Sequence, residues 1–300
     1  MTQLSRISAS VAVAYLFFFG ITFESAAQTP IGEKVHPDAG MMRYPDVSST
    51  QIVFSFAGDL WVAPRTGGPA HPLSSPSGSE VQAKFSPNGK QIAFIAGYDE
   101  GRDIYVMPTG GGLPTRITHH PGQEALCDWT ADNRLLYMTN SFAGLARQTQ
   151  LYTVAPTGGL PTALPVPYGA NGAISADGKY LAYTPHSTDN RTWKRYRGGM
   201  ATDIWLFDLQ AKSSKRITEF EGTDSIPMFH GSMVYYIADA GPEARLNIWS
   251  YDVLTGAREQ ITKFTDHDVR WPSVGPGPEG KGEIIFQNGP DLYLLDLPTR

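Results

Sequence analysis

Phe85-Ser86-Pro87-Asn88-Gly89-Lys90-Gln91-Ile92-Ala93-Phe94, followed by Asp103-Ile104-Tyr105-Val106, Gly110-Gly111-Gly112 and Thr115-Arg116-Ile117-Thr118, forms one structural phrase. Pro87 presets φ at the first central position of a turn, Asn88 suits the second, and Gly89 tolerates the left-handed conformation, so the flanking runs form a hairpin. Ile92-Ala93-Phe94 and Ile104-Tyr105-Val106 are short, apolar, rich in β-branched and aromatic residues, and bounded by turn signals, which marks them as strands. One such module of about four strands cannot bury its own faces, so it must recur.

It does recur. Ile174-Ser175-Ala176-Asp177-Gly178-Lys179-Tyr180-Leu181-Ala182-Tyr183, Asp203-Ile204-Trp205-Leu206-Phe207 and Lys215-Arg216-Ile217-Thr218 repeat the phrase with gaps only in loops. The third-strand element returns as Asp59-Leu60-Trp61-Val62, Gln150-Leu151-Tyr152-Thr153, Asn247-Ile248-Trp249-Ser250 and Asp291-Leu292-Tyr293-Leu294. Its starting positions are 59, 103, 150, 203, 247 and 291, spaced by 44, 47, 53, 44 and 44 residues. A period of about 40–45 residues with four strands per unit predicts an all-β, six-bladed β-propeller of four-stranded antiparallel blades.

The first 27 residues lie outside that fold: Arg6 supplies a positive start, Val11 to Phe23 is an apolar run of 13 residues, and Ser25-Ala26-Ala27 is a small-residue cleavage signal. Thirteen residues are short for a membrane span, which needs about 20. The reading is a signal peptide over 1–27, a linker over 28–42 and a propeller over 43–300, in a periplasmic or secreted protein without a membrane span. A net charge of −5 offers no support for nucleic-acid binding. Cys127 is the single cysteine, so stability must come from packing and not from an intrachain disulfide.

An apolar residue of the outer strand follows each of the first five third-strand starts by 14 positions: Leu73, Ile117, Leu164, Ile217 and Ile261. The sixth counterpart falls near 305, beyond Arg300. Gln28 to Gly40 has no alternating apolar run to replace it, so the last blade is expected to be truncated.

The sequence carries no Gly-x-Ser-x-Gly elbow, His-Glu-x-x-His helix, phosphate loop or paired cysteines, and no catalytic, cofactor-binding or metal-ligating set is assigned. His119-His120 reads as a solvated loop. The acids that open the third strands read as structural acceptors of backbone N–H groups. One insertion stands apart: His186 to Gly199, in blade four, includes Trp193, Lys194, Arg195, Tyr196 and Arg197 and produces the longest spacing of the series. Two readings of it remain open. It lines an axial channel or contacts peptide carboxylates, since Arg pairs with them bidentately; or Trp193 and Tyr196 bury against a neighbouring blade while the cations pair with its acids.

Trp193-Lys194-Arg195-Tyr196-Arg197-Gly198-Gly199, with Thr202-Asp203-Ile204-Trp205, Arg43-Tyr44-Pro45 and Gly58-Asp59-Leu60-Trp61, resembles the N-terminal six-bladed propeller of the tricorn protease family over residues 41 to 300. The turn phrase alone is shared with TolB-type propellers. The resemblance implies a large serine protease acting on oligopeptides, in which this propeller is followed by a seven-bladed propeller, a PDZ domain and the catalytic region, and controls passage to an enclosed active site. Oligopeptides, the remaining domains and further copies in a homo-oligomer are the partners it implies; no cofactor is implied. The family is described as cytosolic, and the export signal departs from that pattern. The alternative is a self-standing TolB-like interaction module, and an active site inside the propeller is a third reading.

Overall fold

The structure is a computed structural model that describes residues 5–7, 40–74, 76–98, 101–142, 148–190 and 192–300. β1 is Ser5–Ile7. Blade one is β2 (Arg43–Val47), β3 (Gln51–Phe56), β4 (Asp59–Pro64) and β5 (His71–Pro72). Blade two is β6 (Glu80–Phe85), β7 (Gln91–Ala96), β8 (Asp103–Pro108) and β9 (Thr115–Arg116). Blade three is β10 (Glu124–Trp129), β11 (Leu135–Thr139), β12 (Gln150–Val154) and β13 (Thr162–Ala163). Blade four is β14 (Ala170–Ile174), β15 (Tyr180–Thr184), β16 (Trp205–Asp208) and β17 (Ser213–Arg216). Blade five is β18 (Asp224–His230), β19 (Met233–Ala238), β20 (Asn247–Asp252) and β21 (Arg258–Gln260). Blade six is β22 (Val269–Gly275), β23 (Glu283–Asn288) and β24 (Asp291–Asp296). Among the described residues there is no α-helix, and none is long and apolar enough to cross a membrane.

The fold is the predicted six-bladed propeller. Blade six contributes three strands from the chain's own repeat, and its fourth place is taken by β1, paired as Ser5↔Leu294, Arg6↔Tyr293 and Ile7↔Leu292. The rest of the segment read as an export signal lies outside the described residues, as does most of the linker.

The hairpin turns form as their side chains dictate. Gly89 sits at φ 68° with its N–H on the Ser86 carbonyl, and the Asn88 carboxamide oxygen accepts from Lys90 N–H at 3.0 Å. Gly178 at φ 69° and the Asp177 carboxylate, which accepts from Lys179 N–H at 3.0 Å, repeat the arrangement in blade four. Blade three places Asn133 at φ 63°, where Asn is the best tolerated substitute for Gly.

The core divides into six clusters, one at each blade interface. Ala93, Ile95 and Val106 of blade two meet Leu126, Leu135 and Tyr137 of blade three, and the same pattern continues around the ring. The sixth cluster closes it: Val47, Ile52 and Phe54 of blade one pack on Ile285, Leu292 and Leu294 of blade six. Apolar burial thus adds to the pairing of β1 with β24 in holding the ring shut at this seam. Polar groups reinforce it. Arg65 donates from Nε and Nη2 to Glu283, which is 1% exposed, and Ser273 of β22 donates to Asp46 of β2.

Two of the acids that open third strands take a structural partner other than the predicted backbone N–H. Asp103 pairs with Arg116 at 2.6 Å and Asp203 with Arg216 at 3.3 Å, both arginines lying on the adjacent outer strand. In each pair one guanidinium nitrogen reaches one carboxylate oxygen, a charge-assisted contact stronger than a bond to a neutral N–H.

Candidate functional site

In an antiparallel meander, successive connections alternate between the two faces of the ring. The second connection of each blade and the link into the next blade therefore share one face. The blade-four insertion, Asp239 and Ala244 after β19, and Asp268 before β22 all fall on that face.

Each innermost strand is interrupted at one place by a register shift, at Arg43/Asp46, Val81/Lys84, Leu126/Asp128, Ala170/Ala173, Ser225/Met228 and Arg270/Ser273. In five of these bulges a non-glycine residue is left-handed: Tyr44 (φ 49°), Gln82 (56°), Asn171 (48°), Ile226 (50°) and Trp271 (45°). All five, with Cys127 from blade three, line an axial cavity of about 90 Å³. Reading the sequence by period alone missed this ring. A signal for it exists: Tyr44-Pro45, Ile226-Pro227 and Trp271-Pro272 put proline inside inner strands, where only a bulge accommodates it.

The insertion closes over one end of that cavity. Asp189 accepts from Asn171 Nδ2 at 2.5 Å, Ser187 Oγ at 2.7 Å and Ser225 Oγ at 2.7 Å, while its carbonyl accepts from Arg270 Nη2 at 3.1 Å. Tyr44 of blade one donates to Asn190 Oδ1 at 3.5 Å. The loop thus touches blades four, five, six and one around the mouth.

Farther along, Lys194 Nζ lies 2.9 Å and Arg195 Nη2 3.6 Å from Asp268, and Arg195 Nε donates to the Ala244 carbonyl at 2.6 Å. Arg197 pairs with Asp239 at 3.0 Å, its guanidinium 4.6 Å from the Phe220 ring centre. Burial would raise the Asp268 carboxyl, but the Lys194 hydrogen bond, the Leu246 N–H and the two cations outweigh it and hold the group below its ordinary value. The predicted pairing of loop cations with acids on other blades is present. The aromatics behave differently from the buried-loop reading: Trp193 packs on Tyr196 with the rings tilted and their centres 4.6 Å apart, and stays 42% exposed. Arg191 lies outside the described residues.

Inside the cavity, Lys84 of blade two donates to Ser273 and stands 3.8 Å from Asp46. Asp128 of blade three accepts the Trp129 N–H at 2.8 Å through Oδ1. Burial, reinforced by the Asp46 charge and opposed by Lys84 and the Trp129 N–H, pushes its carboxyl up to about 6. Elsewhere, His120 accepts the Gly122 N–H and packs on Phe142. Among the described residues no group of three His, Cys, Asp or Glu side chains converges as a metal site.

A family model described as the tricorn protease N-terminal beta propeller domain matches residues 39–300. The chain belongs to this family. It is 27% identical over 258 residues to a tricorn protease homolog of Saccharolobus solfataricus, covering 84% of this chain and 23% of that relative. Against the tricorn protease of Thermoplasma acidophilum it is 26% identical over 271 residues, 85% of this chain and 24% of that protein. The crystal structure of the tricorn protease superposes with a TM-score of 0.75 at 24% identity, over 86% of this chain and 25% of that one. The tricorn-type propeller thus spans about a quarter of the length of the curated relatives it matches.

Proposed function

We propose that this propeller is a non-catalytic module of a tricorn-like serine protease that degrades oligopeptides, and that it acts in the passage or gating of substrates and products. The observation that carries the reading is the blade-four insertion lying across the mouth of a cavity lined by all six inner strands. Ion pairs to Asp239 and Asp268 give the loop a defined closed position on neighbouring blades. Hydrolysis belongs to the rest of the protein, in keeping with relatives about four times as long. Oligopeptides, the other domains and further copies of the chain are the partners of this reading. The Val11 to Phe23 run and Ser25-Ala26-Ala27 carry the proposal of export to the periplasm or beyond. Cleavage near Ala27 would also remove β1 and free the outer edge of β24.

The test is peptide turnover by the full-length protein with Arg195→Ala and Arg197→Ala. Each removes a tether worth on the order of 1 kcal/mol at these partly exposed positions, so turnover should change several-fold while the unfolding midpoint falls by no more than a few degrees. Unchanged kinetics in both variants would make the loop a packing element.

A further inference from the structure

Charge is distributed unevenly along the axis. At the mouth, Arg43, Lys194, Arg195, Arg245 and Arg270 face a groove of about 710 Å³ against Asp266 and Asp268, a positive excess in a chain of net charge −5. Deeper in, the charged lining of the axial cavity is Lys84, Asp128 and Asp189. Asp189 is filled by three side-chain donors, and Lys84 is engaged by Ser273 and Asp46. Asp128 uses one oxygen for the Trp129 N–H, and among the described residues no hydrogen bond reaches the other. The cavity of about 90 Å³ has room for roughly three waters or one ammonium group.

On the passage reading above, we propose that this waist is a subsite for a primary ammonium, the free N-terminus of a peptide held at Asp128 while its chain runs toward the cationic mouth. A peptide α-amine, with an ordinary pKa of about 7.7–8.0, is charged at neutral pH and can donate to the unused carboxylate oxygen. The cations at the mouth repel that group and attract the opposite terminus, so the two ends of the passage favour one orientation. The Asp128 carboxyl, raised to about 6, remains ionised at neutral pH. An incoming ammonium also compensates the negative charge that Asp46 and Asp128 leave beside a single lysine.

The experiment is calorimetric titration of the 300-residue chain at pH 7 with tetra-alanine and with N-acetyl-tetra-alanine, in the unaltered protein and in Asp128→Asn. Asn keeps an oxygen for the Trp129 N–H. Tetra-alanine should bind the unaltered protein about tenfold or more tightly than its acetylated form, as a charge-assisted bond in a partly enclosed site implies. Asp128→Asn should bind both alike. Equal binding of the two peptides by the unaltered protein, or a preference that survives Asp128→Asn, overturns the ammonium subsite and leaves the passage intact. Failure of both peptides to bind at millimolar concentration overturns the subsite and the passage together.

Discussion

The seam between blades six and one can be tested by adding one methyl group. An ideal Cβ on Gly275, at the end of β22, would stand 2.6 Å from the Val47 carbonyl oxygen and 2.4 Å from Val47 Cγ1. The Cγ1 atom can move with its rotamer, but the carbonyl belongs to β2 and cannot. Ordinary contact distances of about 3.3 Å or more would force the two inner strands apart by roughly 0.7 Å. Val47 is 2% exposed and belongs to the cluster that closes the ring, so the separation is transmitted to Ile52, Ile285 and Leu292. Overpacking of this kind costs about 1–3 kcal/mol, offset by about 0.4–1 kcal/mol because Ala restricts the unfolded chain. Gly275→Ala should therefore lower stability by about 1–2 kcal/mol, or a few degrees in Tm for a domain of this size. Urea unfolding followed by tryptophan fluorescence measures it. Gly199→Ala is the control, since no atom lies within 4 Å of its added Cβ. Equal midpoints for Gly275→Ala, Gly199→Ala and the unaltered protein would mean that β2 and β22 are not apposed and that the ring closes elsewhere or not at all.

Two further outcomes concern buried charge. Glu124 is 7% exposed at the start of β10, where it accepts from Thr118 of blade two, and burial pushes its carboxyl up to about 7. Because the unfolded value is lower, near 4.5, the neutral acid stabilises the fold fully below pH 4.5 and that contribution is lost as pH rises toward 7. The loss is about 3 kcal/mol in order of magnitude, and Glu124→Gln should flatten the fall of Tm between pH 5 and pH 8; an unchanged slope would refute the assignment. Arg65→Ala strands the Glu283 carboxylate, 1% exposed, and should cost about 3 kcal/mol, most of it regained in the Arg65→Ala, Glu283→Gln double variant; an equally unstable double variant would assign the loss to packing.

The architecture was legible because propeller blades are built from local chemistry. Gly89 and Gly178 each take the left-handed turn position that the phrase demanded; the third-strand starts at 59, 103, 150, 247 and 291 open third strands, and 203 stands two residues before β16. Contacts between distant blades left no such mark. Ser273 and Asp46 are 227 residues apart, and nothing near either residue announces the other. The last blade was expected to stop short of its outer strand, whereas β24 pairs with Ser5–Ile7, a segment whose composition pointed to export. In the insertion, the cations were legible as ion-pair formers. The fate of Trp193 was not, because two aromatics three residues apart can satisfy each other on a loop as readily as on a neighbouring blade.

The ring of bulges bears most directly on what the fold serves. A bulky or β-branched residue at positive φ is strained by about 1–3 kcal/mol, and Ile226 and Trp271 are the costliest types to hold there. Glycine would relieve the strain at any of the five positions, so closing a six-fold ring does not by itself demand these side chains. At Asn171 the left-handed residue sends its amide to Asp189, and at Tyr44 the hydroxyl reaches Asn190, both on the loop that covers the mouth. Trp271 takes Tyr44 at 4.6 Å and the Arg270 guanidinium at 5.3 Å. The strained backbone therefore aims side chains along the axis and onto the covering loop. Relieving it with glycine would keep the barrel of blades and remove the groups that tie the loop down, which is the arrangement expected if stability has been traded for a lined and covered passage.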